Sequence, residues 1–302
     1  EDERRLKQKR CVRQTIVEGC LTVQSTKMKV LLLSLCIVIS TQAIPVDYRK
    51  GLDLDNATNI WAFLVAGSKG YDNYRHQADV CHAYQLLLSR GVDENNIVTM
   101  FFDDVAHSSL NPYKSKLFNE NGGDDVYTGV KKDYTGRDVS VENFLAVLRG
   151  DSDAVKGVGT GRVLAPGPRD SILVYFADHG APGLVWFPAR HGIIPSFLSG
   201  RQLQSVLVSL VGSGRAAAAL VWVESCDAGS LLAALPPAAG VVGVAAAGGG
   251  EPSWACEYND TLDAFLGDCF SGSWVGAAAG GGGRHRACNT GTRRAARPSR
   301  GC

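Results

Sequence analysis

The sequence predicts an α/β protein with a mostly parallel central sheet flanked by helices. Two observations support this prediction: strand and helix patterns alternate from Ile60 onward, and the strand segments are nearly continuous apolar runs. Such runs are typical of strands that are buried on both faces of a parallel sheet. Because parallel strands are joined by right-handed crossovers, the alternation favours one main sheet in one domain.

The first elements follow from hydrophobic spacing and turn residues. Residues 60–66 (IWAFLVA) predict a strand, and residues 67–70 (GSKG) end it. A helix is predicted over residues 75–90, because Val80, Ala83, Tyr84 and Leu87 form one apolar stripe. Gly91 ends that helix. Residues 97–102 predict the second strand, and a polar, Gly-rich connection extends to residue 136.

The remaining elements continue the alternation. Ser140 is expected to cap a helix that extends to Leu148, and the run SILVYFA from Ser171 predicts the next strand. A helix is predicted over residues 202–211, a strand over 217–223, and a last strand over 241–245. The domain is expected to occupy residues 44–275.

Both ends of the chain are predicted to lie outside that domain. Residues 28–43 combine a basic start, about ten apolar residues and a small-residue exit, which is typical of a secretory signal peptide. The run is shorter than the roughly 20 residues that span a bilayer, so no transmembrane segment is expected. Residues 1–27 are interpreted as a non-native upstream extension. Residues 276–302 are interpreted as a disordered or wrongly joined tail, because they offer little apolar surface.

Composition excludes some classes of function. The net charge is +1 and the basic residues form no stripe with interleaved aromatics, so nucleic-acid binding is not expected. Nine cysteines are present without a CxxC pair, which argues against structural zinc and leaves the disulfide pairing open. No metal and no cofactor are predicted.

Two strands end in reactive side chains. His179 lies at the end of the strand pattern in SILVYFADHG, and Cys226 lies at the end of the strand pattern in LVWVESCDAGS. Chemistry in open α/β sheets gathers at the carboxyl ends of strands, so the two side chains are expected in one crevice. A lone histidine is more often a satisfied core residue, and a lone buried cysteine more often a small hydrophobe. The pair favours a cysteine nucleophile with a histidine base, and the N–H groups of Gly180 and Cys226 as the oxyanion hole.

Four segments carry a family resemblance: NYRHQADVCHAYQ from Asn73, DVYTGVKKDYTGRDVSVENFLAVLRGD from Asp125, VYFADHG, and VESCDAGS. The chain resembles the legumains, the asparaginyl endopeptidases of the C13 cysteine proteases, over about residues 60–270. The resemblance implies a caspase-like three-layer fold, a lysosomal or other acidic compartment reached by the secretory pathway or secretion from the cell, and cleavage after Asn and, at lower pH, Asp. The thioester acyl-enzyme would form on Cys226.

The resemblance also implies roles for further residues. Asn73 corresponds to the residue that orients the histidine, although an Asn at this place is otherwise more often a helix cap. The substrate pocket corresponds to Arg75, His76, Glu224, Ser253 and Asp268. This set suits an amide, which presents one acceptor and two N–H donors. Without the family context, Arg75 and Glu224 could equally form an ordinary ion pair. Asp178 is a succinimide candidate linked to ligase chemistry.

Several residues depart from the family pattern. Legumains usually have EACESG around the nucleophile, where this chain has ESCDAG from Glu224. Pro252 replaces the first of two pocket serines and removes a backbone donor. An Ala/Gly tract stands where the family has a Thr-rich strand. We do not recognise the helical C-terminal prodomain of legumain zymogens in this sequence, and autoinhibition by such a prodomain is therefore not expected from it.

These departures support two alternatives to an active protease. One is an impaired or truncated legumain homologue that only binds partners, such as cystatin-type inhibitors. The other is a peptidase related to the transamidase that attaches GPI anchors. Two smaller signals are sequons at Asn56 and Asn259, and an integrin-type tripeptide, Arg149-Gly150-Asp151.

Overall fold

The computed structural model describes residues 59–189, 195–233, 235 and 240–278. The predicted upstream extension, the signal peptide, the sequon at Asn56 and most of the predicted tail therefore lie outside the described residues. In this part of the chain, no helix is long and apolar enough to cross a membrane.

Ten strands and five α-helices are formed by the described residues. The strands are β1 (Ile60–Ala66), β2 (Ile97–Met100), β3 (Ser171–Ala177), β4 (Gly180–Ala181), β5 (Leu184–Phe187), β6 (Ser196–Ser199), β7 (Ala218–Glu224), β8 (Val241–Ala245), β9 (Ala255–Asn259) and β10 (Ala264–Asp268). The helices are α1 (Tyr74–Ser89), α2 (Val141–Arg149), α3 (Gly200–Gly212), α4 (Ala228–Leu232) and α5 (Cys269–Ala278).

The main sheet has five parallel strands in the order β2-β1-β3-β7-β8. Successive residues of its strands face opposite sides, and both sides are buried. In β3, for example, Tyr175 belongs to the core on one face and Phe176 to the core on the other. Helices α1 and α5 contribute to the first core, and α2, α3 and α4 to the second. The three-layer α/β prediction is confirmed.

Most predicted elements are found close to their predicted bounds. Ser140 caps α2 by accepting the N–H of Asn143 at 3.2 Å. The second strand is two residues shorter than predicted, because after Met100 the N–H of Phe101 donates to the carbonyl of Tyr134 instead. Helix α5 extends to Ala278, three residues past the predicted domain boundary at residue 275.

Two small antiparallel groups were not predicted. Strands β4, β5 and β6 form one three-stranded sheet, and β9 and β10 form a hairpin. Their segments are two to five residues long, too short for hydrophobic periodicity to separate them from loops. A disulfide joins Cys256 in β9 to Cys269, the first residue of α5. Cys81 is a free cysteine, buried in α1.

Candidate active site

The ends of β3 and β7 bring the two predicted reactive residues to one edge of the sheet. Ala177 lies opposite Glu224 in the parallel register, and the N–H of Asp178 donates to the carbonyl of Glu224 at 3.0 Å. His179 and Cys226 follow immediately on these neighbouring strands. The crevice expected from the two sequence motifs is therefore built by β-sheet pairing.

His179 is held by the side chain predicted to orient it. Its Nε2 lies 2.8 Å from Oδ1 of Asn73, and Nδ2 of Asn73 donates to the carbonyl of Lys69. Asn73 precedes α1 but makes no capping hydrogen bond with its side chain. Since the amide oxygen can only accept, the hydrogen-bond network assigns the proton of a neutral His179 to Nε2 and leaves Nδ1 as a base. Burial and the charge of Arg75 lower the pKa of His179 to about 4.

Cys226 lies in a turn that is tied to the following loop. Cys226 is buried, with 4% of the residue exposed, and its sulfur accepts the N–H of Ser253 at 3.2 Å. Asp227 has a left-handed backbone with φ 54°, and its Oδ1 accepts the N–H of Gly250 at 2.6 Å. Nucleophilic chemistry at Cys226 requires its sulfur as a reduced thiol.

Gly180 packs against the backbone that carries the cysteine. A Cβ atom there would lie 2.3 Å from the carbonyl oxygen of Cys226 and 2.7 Å from Oγ of Ser225. Any side chain at this position would therefore displace the turn. This close approach places the main chain after His179 beside the main chain around Cys226, where a pair of N–H donors could face a substrate carbonyl.

The residues predicted to line the substrate pocket form a buried charged cluster at the start of α1 and the ends of two strands, and this cluster is called the pocket below. Nε of Arg75 donates to Oδ1 of Asp268 at 2.9 Å, and the side chains are 11% and 4% exposed. Glu224 is not the ion-pair partner of Arg75: its Oε2 accepts the N–H and the Oγ–H of Ser271, each at 2.9 Å. Oδ2 of Asp268 and Oε1 of Glu224 are buried and have no hydrogen bond within the described structure.

His76 lies under this pocket. Its Nδ1 is 2.7 Å from Oγ of Ser68, and its two nitrogens lie 3.6 Å from Oδ1 of Asp178 and 3.6 Å from Oδ2 of Asp268. Burial, followed by the charges of Arg75 and His179, lowers the pKa of His76 well below its usual value. His76 is therefore neutral, and Arg75 supplies the positive charge of the pocket.

Sequence reasoning missed several polar residues here. Ser68 forms a hydrogen bond with His76, and Asp227 accepts the N–H of Gly250, which connects the turn of Cys226 to the following loop. Ser271, in the first turn of α5, donates its N–H to Glu224. Of these residues, only Asp227 belongs to a motif noted in the sequence: it is one of the positions at which ESCDAG differs from the EACESG of the legumains. The others carry no local pattern, because their partners lie in distant parts of the chain.

The pocket carboxyl groups predict how stability depends on pH. Burial is the first cause that raises the pKa values of Asp79, Asp178, Glu224 and Asp268, and that of Glu224 reaches about 8. Unfolded carboxyls titrate near about pH 4, so between these values the unfolded chain has lost protons that the folded protein keeps. The carboxyl contribution to stability is thus fully present below about pH 4 and is lost as pH rises. The lowered pKa values of His76 and His179 act in the opposite direction below about pH 6.5.

We therefore expect the free energy of unfolding to fall as pH rises from about 6.5 to about 8, by an amount on the order of a few kcal/mol. Urea unfolding at a series of pH values measures this. Glu224→Gln, which cannot ionise, should show a shallower fall than the unmodified protein. Equal or greater stability of the unmodified protein at the higher pH would contradict the prediction.

His76, Asp178 and His179 also form a group that could hold a metal ion. Their ligand atoms all lie within 4.8 Å of one another. Among the described residues, this is the cluster of three His, Cys, Asp or Glu side chains that is compact enough to bind a metal ion. Each imidazole, however, already has a hydrogen-bond partner, Ser68 for His76 and Asn73 for His179. The expectation of no metal and no cofactor stays a prediction.

The two surface signals have defined positions. Arg149 and Asp151 are exposed at the end of α2, and Gly150 between them is left-handed with φ 72°. Asn259 ends β9, and its Nδ2, the atom that would carry a glycan, donates to Oδ1 of Asn121 at 2.8 Å. The integrin and glycosylation assignments remain predictions.

An α/β sheet that presents a histidine and a cysteine at neighbouring strand ends, beside a charged pocket, has the arrangement of a cysteine peptidase. The Peptidase C13 family model matches residues 60–283, and the chain belongs to that family. Among curated proteins it is 42% identical over 241 residues to legumain of Bos taurus, covering 80% of this chain and 53% of that protein.

Two other relatives show the spread of the similarity. Legumain of Homo sapiens is 40% identical over 241 residues, again 80% of this chain and 53% of that protein. The vacuolar-processing enzyme beta-isozyme of Arabidopsis thaliana is 48% identical over 186 residues, 61% of this chain and 37% of that protein. The chain spans about half the length of the legumains that it matches.

Proposed function

We propose that this protein is a cysteine endopeptidase that cleaves peptide bonds after Asn and, at acidic pH, after Asp. The observation that carries the proposal is the pair of unsatisfied buried oxygens, Oδ2 of Asp268 and Oε1 of Glu224, beside the guanidinium of Arg75. An Asn side chain offers N–H donors and one carbonyl acceptor, so its pocket must supply at least one acceptor and one donor, and this group of side chains can supply both.

The protonation of Glu224 supports the same assignment. Its pKa of about 8 keeps the carboxyl protonated at acidic pH. Oε2 already accepts two hydrogen bonds from Ser271, so the proton belongs on Oε1 and can be donated to the carbonyl oxygen of the substrate amide. The carboxylate of Asp268 can then accept an amide N–H.

Cleavage after Asp would require acid for a related reason. An ionised substrate carboxylate in this pocket would add a buried negative charge next to Asp268, which is costly. A protonated Asp side chain has nearly the shape of Asn and offers one donor and one acceptor. Acidic pH therefore favours entry of Asp.

The bond-making steps use His179 and Cys226. Neutral His179 takes the proton from the reduced thiol of Cys226, and the sulfur attacks the carbonyl carbon. The oxyanion would be held by the N–H groups of Gly180 and Cys226. His179 then gives its proton to the leaving amine, which leaves a thioester. Water attacks the thioester with His179 as base, the acid is released, and the thiol is restored.

The proposal includes a cellular compartment, a class of substrates and a class of inhibitors. A lysosomal or other acidic compartment, reached through the secretory pathway, suits a pocket whose carboxyl groups are stable when protonated. Proteins and peptides with Asn at the cleaved position would be substrates, and cystatin-type proteins would be inhibitors. The binding-only alternative is favoured by Pro252, which precedes the N–H donor to Cys226 and itself has no N–H.

The test is hydrolysis of a fluorogenic Ala-Ala-Asn peptide at about pH 5.5, in the presence of a reductant that keeps Cys226 as a thiol. We expect turnover that disappears in Cys226→Ala. The matched Ala-Ala-Gln peptide should be cleaved at least about 100-fold less efficiently, since its longer side chain misplaces the amide. Absence of turnover that depends on Cys226 would reject the enzyme and leave the binding-only homologue.

A further inference from the structure

Asp79 lies directly behind the charged pocket, one helical turn after Arg75 in α1. Its side chain is fully buried, and its Oδ1 accepts Nδ2–H of Asn119 at 2.6 Å. The N–H of Asp268 points at both carboxyl oxygens of Asp79, at 3.4 and 3.3 Å. Asp79 thus contacts the main chain of the residue whose side chain pairs with Arg75.

The neighbouring glycine makes this approach possible. A Cβ atom on Gly267 would lie 2.8 Å from Nδ2 of Asn119 and 3.1 Å from Oδ1 of Asp79. A larger residue would collide first with Asn119 and would also crowd the carboxyl group of Asp79. The missing side chain at position 267 therefore lets Asn119 and Asp79 lie against the end of β10.

Charge balance distinguishes Asp79 from Asp268. Asp79, Asp268 and Glu224 are all buried, and Asp268 is the one that forms an ion pair with the guanidinium of Arg75. Burial, followed by the charges of Asp268 and Glu224, raises the pKa of Asp79 well above its usual value. Burial raises the pKa of Asp268, and the charge of Arg75, followed by the hydrogen bond with Asp79, offsets part of that rise. The ion pair with Arg75 favours the ionised form of Asp268, whereas burial beside two other carboxyl groups favours the protonated form of Asp79.

We propose that Asp79 is a positioning residue of the pocket: its buried carboxyl group accepts the N–H of Asp268 and holds the end of β10 from behind, so that the side chain of Asp268 faces Arg75 and the substrate side chain. This role rests on the proposed function. Asp79 does not touch the substrate and acts through Asp268.

The role also sets a pH limit, because losing the proton of Asp79 would place a second negative charge beside Asp268. The titratable and charged groups that face Asp79 or its hydrogen-bond partner are Arg75, Cys81, His82, Tyr175, Glu224 and Asp268. Arg75 is the cation among them, and it is already paired. Repulsion between the two carboxylates should then loosen the end of β10 and weaken substrate binding as pH rises.

Two substitutions and a control separate positioning from simple structural support. Asp79→Asn keeps the oxygen that accepts from Asn119 and Asp268 but cannot ionise. Asp79→Ala removes the contact. Asp133→Asn is the control, because Asp133 is also buried and hydrogen-bonded but holds Arg162 and the N–H of Thr99 in the edge strand β2.

Steady-state kinetics on the Ala-Ala-Asn peptide between about pH 5 and 8 measure the effect. We expect Asp79→Ala to raise KM at least about fivefold throughout, with kcat within about twofold. Asp79→Asn should restore KM near about pH 5.5 and flatten its rise at higher pH. Asp133→Asn should lower stability but keep the unmodified pH profile of KM.

Other outcomes overturn the proposal. If Asp79→Ala leaves KM unchanged, or if Asp79→Asn follows the unmodified pH profile, Asp79 gives structural support only. If the unmodified protein shows no turnover, the proposed function is rejected, and the role of Asp79 is then tested separately by urea unfolding. A shallower loss of stability above about pH 6.5 in Asp79→Asn than in Asp133→Asn supports it, and equal slopes overturn it.

Discussion

Replacing His179 with Ala is expected to lower kcat/KM for an Ala-Ala-Asn peptide by about 10³-fold or more, with a much smaller change in KM. The imidazole is the group that can take the thiol proton from Cys226 and return it to the leaving amine. Its pKa of about 4 keeps it neutral, and hence able to accept, at the expected working pH. Steady-state kinetics at about pH 5.5 measure the loss.

Asn73→Ala is the matched comparison, because it leaves the base in place and removes its orienting acceptor. We expect a smaller loss, roughly 10²-fold in kcat, since the ring can then rotate away from the productive geometry. A His179→Ala variant that keeps more than about a tenth of the activity would mean that another group accepts the proton.

Replacing Arg75 with Gln is expected to have the second largest effect. The ion pair with Asp268 is nearly buried, and breaking it leaves a carboxylate among other carboxyl groups without its counter-ion. We expect a loss of stability of about 3 kcal/mol and a rise in KM of at least about tenfold for Asn peptides. Urea unfolding and steady-state kinetics measure the two quantities separately.

Arg162→Gln provides a control with similar chemistry away from the pocket. Arg162 pairs with Asp133 at 3.1 Å, and its side chain is 28% exposed, so a smaller stability loss is expected. KM should not change. If Arg75→Gln and Arg162→Gln affected KM equally, Arg75 would have no special part in the pocket. The double variant Arg75→Gln/Asp268→Asn should lose less stability than the sum of the single variants.

The main-sheet elements could be predicted because each is long and locally patterned. β3 and β7 are seven-residue apolar runs, and α1 carries its stripe over sixteen residues. The short strands β4, β5 and β6 and the β9–β10 hairpin could not be predicted in this way. They are stabilised by pairing with each other, and that pairing has no counterpart in the local sequence.

The amino-acid sequence alone is enough to predict the α/β class and the two strand ends that carry His179 and Cys226. Hydrophobic runs and short motifs are local properties, and parallel pairing of β3 with β7 then makes the two ends neighbours. It also indicated, by family resemblance, the set of charged pocket residues. It did not determine which of these residues pair with each other.

Those pairings are known from the three-dimensional packing and not from the sequence. Arg75 binds Asp268 rather than Glu224, Ser271 holds Glu224, and Asp79 lies behind Asp268. The partners in each pair are between 47 and 193 positions apart in the chain. Their contacts depend on how α1, β7, β10 and α5 pack together. Burial then sets the pKa values, because the cost of a charge depends on the three-dimensional surroundings rather than on the neighbouring residues in sequence.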